Sequence, residues 1–118
     1  MKMGLEEINA RMKKQLEMLN SDKESFTGKI NGIEESTAGE VFGEKAKNPN
    51  REVVQLSIKV QETSDEFVET FTLPAGVGTW RNKKFKLAQF VNKYGALPEP
   101  GMTVTVVLND EGFYRVAV

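Results

Sequence analysis

Four aliphatic residues at alternate positions, Val54, Leu56, Ile58 and Val60, constrain this chain more than any other feature. A period of two puts them on one face of an extended strand, with Val53, Gln55, Ser57 and Lys59 on the other. Residues 51–61 therefore read as a strand with a core on one side.

The segments after Ser25 follow the same period. Residues 25–35, SFTGKINGIEE, read as a first strand, in which Gly28 and Gly32 mark a bulge or a bend. Residues 36–50 read as a long connection, too long for a tight hairpin. Residues 62–65 read as a turn and 66–73 as a third strand that Pro74 ends. Phe67, Phe71 and Leu73 share one parity of that strand and read as core. Glu69 falls among them, which places it at a barrel end if the face is buried. Residues 74–82 form a glycine-containing loop. Residues 102–108 and 113–118 read as strands joined by the turn Asn109–Gly112. In the last strand Phe113 and Tyr114 point oppositely, and Tyr114 is expected outward because its hydroxyl tolerates water.

Two stretches keep helical spacing instead. In residues 2–20 an apolar stripe of Leu5, Ile8, Met12, Leu16 and Leu19 runs along an otherwise charged helix, and Asn20-Ser21-Asp22 stops it. Phe85, Leu87, Ala88, Phe90, Val91 and Tyr94 give residues 83–94 an apolar side, with Gly95 as C-terminal stop. The chain divides into an N-terminal amphipathic helix, 1–22, and a β-dominated domain, 23–118. A chain of 118 residues fits that single domain.

The order helix, then β-β-β-α-β-β, resembles the OB-fold, a five-stranded Greek-key barrel with a helix between strands three and four. FTGKINGIEE is similar to the family's glycine-bent first strand, and GMTVTVVLNDEGFYRV to its closing hairpin. KKFKLAQFVNKYGALPEPGM resembles the helix-then-turn lead into strand four of its single-stranded DNA-binding members. The resemblance spans residues 25–118 and implies an OB-like barrel whose strand 1–2 and 4–5 loops frame an oligonucleotide groove. Lys45, Lys47 and Arg51 would then flank that groove.

Composition removes most catalytic chemistry. With no cysteine there is no thiol nucleophile or zinc–thiolate site, and with no histidine the usual neutral-pH base is missing. Adjacent carboxylates such as Glu34-Glu35 point to opposite faces of a strand and make poor acid–base pairs. The glycines of PAGVGTW lack the lysine and hydroxyl of a phosphate loop. The chain is expected to be a binding protein, not an enzyme, without cofactor or metal. No apolar run approaches the roughly 20 residues of a membrane span, and the N-terminus has no apolar secretory core. A cytoplasmic setting without a membrane partner is expected.

Charge is uneven. Residues 74–98 carry Arg81, Lys83, Lys84, Lys86 and Lys93 and no acid, in a chain whose net charge is −1. The lone tryptophan, Trp80, lies beside them. Cations that follow phosphates and flat rings that stack on bases are the means of holding single strands. The expected function is single-stranded DNA binding with little sequence preference, through Lys45, Lys47, Arg51, Lys59, Trp80, Arg81, Lys83, Lys84 and Arg115. The plainer reading makes the lysines the solvated face of a helix and Trp80 a plug for the barrel's end. The alternatives are an RNA-binding OB module, or a protein–protein adaptor that forms a homodimer through residues 5–19.

Overall fold

The structure, a computed structural model, describes residues 4–20 and 25–118, with Met18–Asn20 described by backbone alone. The 1–22 boundary, the Ser21-Asp22 stop and the side chain of Leu19 lie outside the described residues. Five antiparallel strands, β1 (Ser25–Thr37), β2 (Glu52–Val60), β3 (Glu66–Thr72), β4 (Thr103–Leu108) and β5 (Tyr114–Val116), follow the spatial order β3-β2-β1-β4-β5. The sheet curls until its edges, β3 and β5, approach each other, giving a nearly closed OB-like barrel. Strand β1 makes the curl possible by serving two partners. Its first half pairs with β4 and its second half with β2. The register shifts between Ile30 and Gly32, so Asn31 is the extra residue of the bulge that Gly32 foreshadowed. At Gly28, where β1 pairs with both neighbours, an added Cβ would lie 2.5 Å from Val106 Cγ2, so only glycine fits.

The alternation in β2 holds. Val54, Leu56, Ile58 and Val60 are buried with Phe26, Ile30, Phe71, Val104 and Val106 in one core. Helix α1 (Leu5–Asn20) precedes the barrel, and α3 (Lys86–Tyr94) plugs it with Leu87 and Phe90. The Phe90 ring meets Phe71 edge-on at 5.9 Å. The Tyr94 hydroxyl donates to Ala117 O (2.7 Å) and accepts from Thr105 N (3.1 Å), tying α3 to the closing hairpin. Gly95 adopts φ 77° and its N–H donates to Val91 O, the C-terminal stop expected of it.

Four local readings need correction. Strand β1 continues to Thr37, and residues 38–45 are not irregular: α2 (Ala38–Phe42) and a 3-10 turn (Gly43–Lys45) occupy them. Thr37 caps α2, its hydroxyl accepting from Glu40 N, while Glu40 accepts from Ser36; Thr37-Ala38-Gly39-Glu40 is a capping-box spacing. The second helix starts at Lys86 instead of residue 83, because Asn82 takes the Lys84 N–H on its side chain and the Phe85 N–H on its carbonyl, holding a turn open. Val53 is buried although it shares β2's outer face with Ser57 and Lys59. Ala38 N donates to Arg51 O and brings Ala38, also buried, alongside the start of β2. Lastly, Phe113 points outward and is 64% exposed, while Tyr114 turns in. Tyr114 packs edge-on to Phe26 and stacks on Phe67 at 5.5 Å, and a buried carboxylate, Asp65, accepts from its hydroxyl.

Candidate functional site

Two surfaces around β3 concentrate chemistry. The first is the end of the barrel where β3 stops at Thr72. Pro74 denies the chain another ladder bond, and Val77–Arg81 coil into a 3-10 turn. Trp80 rests edge-on against Phe85 at 6.4 Å and stays 37% exposed, so it neither plugs the barrel nor hangs free. The Asn82 turn holds Lys83 and Lys84 in solvent, and Gln89 Nε2 donates to Lys83 O (2.6 Å) to fix the backbone beneath them. Lys84 and Lys86 border a hollow on Thr70–Thr72. On the other side of the same strand end, the Arg51 guanidinium donates to Leu73 O (2.9 Å) and borders a second hollow with Asn48, Asn50 and Pro74. Arg51, Lys84 and Lys86 thus border two hollows at the end of β3, Arg81 and Lys83 adjoin Lys84 in the chain, and exposed Glu52 lines the hollow beside Arg51. Lys47 is exposed on the loop leading to Arg51, and Lys45 closes the 3-10 turn before it.

Of the nine expected residues, Lys45 and Lys47 line neither hollow, and Lys59 and Arg115 stand elsewhere. Lys59 sits near the opposite end of β2, in register with Lys29 on one side and Glu66 on the other. Arg115 lies in the gap between β3 and β5, its Nε donating to Glu69 Oε1 at 3.3 Å. That pair explains Glu69: its carboxylate is buried on the inward parity and meets a cation across the barrel's seam.

The second surface is the seam itself, a hollow of about 590 Å³ framed by the strand 1–2 and 4–5 connections. Phe42, Val68 and Phe113 are exposed around it, and its charged residues are Glu66, Glu69, Glu111 and Arg115. Lys45, Lys47 and Arg51 do not line it. Glu69 among the apolar residues of strand three and the opposed pair Phe113 and Tyr114 were legible signs of this surface.

A third cluster joins α1 to the barrel. Arg11 donates to Asp65 Oδ1 through Nε (3.2 Å) and Nη2 (2.8 Å), Gln15 donates to the same oxygen (2.8 Å), and the Tyr114 hydroxyl donates to Oδ2 (2.6 Å). Burial pushes the Asp65 carboxyl up, but bonds from Tyr114, Arg11, Gln15 and Thr63 outweigh it and hold the group below its ordinary value. Burial, and then the bond to Asp65, raises the Tyr114 phenol. The helix is therefore held by Arg11 and Gln15, while Leu5 and Ile8 are exposed and Met12 and Leu16, also exposed, line a hollow of about 460 Å³ with Phe26, Leu108 and Tyr114 of the barrel. Sequence periodicity had no means of singling out Asp65, whose donors lie about fifty residues away on either side.

Among the described residues no helix is long and apolar enough to cross a membrane. No protein-family model, curated protein or solved structure matches the chain.

Proposed function

We propose that this protein binds single-stranded nucleic acid, DNA in the first instance, with little sequence preference and in the cytoplasm. One observation carries the reading: Lys84 and Lys86, in the acid-free run that starts at Arg81, border a hollow on Thr70–Thr72, and Arg51 borders another at Leu73 just beyond it, with Trp80 exposed in the turn before them. Cations there follow phosphates, and the Trp80 ring offers a face to a base, worth roughly 1–3 kcal/mol by stacking. Arg81 supplies a planar fork for a phosphate or a second stacking plane. The interface is the strand-end surface, not the groove between the loops, since three carboxylates line that groove.

Titration of Trp80 fluorescence with oligo-dT tests it. If Arg81, Lys83 and Lys84 each neutralise one phosphate, a fourfold rise in salt weakens binding roughly 20-fold. Absence of quenching and of a gel shift at micromolar protein overturns the reading, and stronger binding of oligo-rU than of oligo-dT reassigns it to RNA. The exposed apolar side of α1 supports a further element, self-association through Leu5, Ile8, Met12 and Leu16. Light scattering that returns a monomer with and without residues 1–22 removes it.

A further inference from the structure

The barrel closes without a closing ladder. Strands β3 and β5 are the two edges of the sheet, and among the described residues side chains bridge them: Tyr114 stacked on Phe67, and Arg115 donating to Glu69. Hydrogen-bond parity says which backbone groups are left over. Leu73 N donates to Glu52 O and Val60 N donates to Asp65 O, so the odd-numbered residues of β3 exchange bonds with β2. The N–H and C=O groups of Glu66, Val68 and Thr70 therefore point away from β2, toward the seam. An unpaired edge of this kind is a template for another strand.

We propose that the seam hollow receives an extended, lysine- or arginine-rich segment of another protein, which pairs with β3 at Val68 and Thr70. Charge selects this occupant. Glu66, Glu69 and Glu111 line the hollow, and its one basic side chain, Arg115, is already committed to Glu69. The lysine or arginine side chains of the incoming strand lie on the outward face that Glu66 shares with Val68, and meet Glu66 and Glu111 as the seam widens. Their aliphatic stems cross exposed Val68 and Phe113, and the alternate apolar side chains turn inward toward Phe67. A phosphate backbone has no partner in this hollow. The site adjoins the basic strand end at Thr70, which lines both hollows, so Val68 is the position that reports on it independently of nucleic-acid binding.

The test uses the full chain and a fluorescent octapeptide alternating lysine and valine, against its glutamate–valine counterpart. The lysine peptide is expected to bind about tenfold more tightly, the effect of exchanging attraction for repulsion at several exposed carboxylates. It slows amide exchange at Val68 and Thr70. The Glu111→Lys variant, altered in an exposed turn outside the core, loses about threefold in peptide affinity and keeps its affinity for oligo-dT. Equal binding of the two peptides, unchanged exchange at Val68 with the lysine peptide, or protection of the Val68 amide by oligo-dT instead would overturn the proposal.

Discussion

Replacing Tyr114 with phenylalanine removes one oxygen and leaves the ring. The contacts with Phe26 and Phe67 survive, so the substitution removes the 2.6 Å bond to Asp65 Oδ2 together with the longer 3.4 Å contact to Thr63 Oγ1, and the double-mutant cycle isolates the first. The Asp65 side chain is 11% exposed, so water replaces the lost donor poorly. A hydrogen bond to a charged group contributes about 1.5–3 kcal/mol, which for a domain of this size lowers Tm by roughly 6–12 °C. The effect also has a pH signature. Because Asp65 titrates below its ordinary value of 3.8 in the folded protein, it stabilises the fold above that pH, and the contribution is lost as pH falls through the folded-state value. Tyr114 is the foremost of the groups that hold it down. In Tyr114→Phe the carboxyl moves up, so acid unfolding begins at higher pH than in the parent. The assay is urea denaturation across pH 2–7, with a double-mutant cycle through Asp65→Ala. The reasoning requires a coupling of about 1.5 kcal/mol or more. Additivity within about 0.5 kcal/mol at neutral pH, or an unshifted acid transition, would refute it.

Four further outcomes follow from the same geometry. Gly28→Ala places a methyl against Val106 and Ile58 and costs roughly 1–3 kcal/mol by overpacking, read as a lower urea midpoint with unchanged slope. Phe90→Ala empties the plug of the barrel and costs roughly 3–5 kcal/mol in the same assay. Arg11→Ala breaks a half-exposed ion pair, so global stability changes by about 1 kcal/mol or less, while amide exchange along α1 accelerates as the helix leaves Asp65. Lys84→Glu weakens oligo-dT binding several-fold, whereas Lys59→Glu, near the far end of β2, changes it by less than about twofold in the same titration.

The sequence by itself determined the elements and their order. A period of two marked the strands, a period near 3.6 marked α1 and α3, and glycine marked the bulge and the helix stop, because these signals act between residues a few positions apart. It also located the basic, acid-free segment, since charge is a property of composition. Short-range rivals blurred it locally: the Thr37 cap that nucleates α2, and the Asn82 turn that delays α3. Parity alone could not say which of Phe113 and Tyr114 faced inward. That choice fell to Asp65, forty-nine residues away, whose buried carboxylate needs the phenol as a donor. Alternation has the same limit. It fixed the core face of β2, but the bridging of the seam by side chains, the pairing of Glu69 with Arg115, and the bond from Arg51 to Leu73 O belong to the tertiary structure. Each joins groups distant in sequence: the curl of β1 brings β5 to β3, and the β2–β3 ladder brings Leu73 to Arg51.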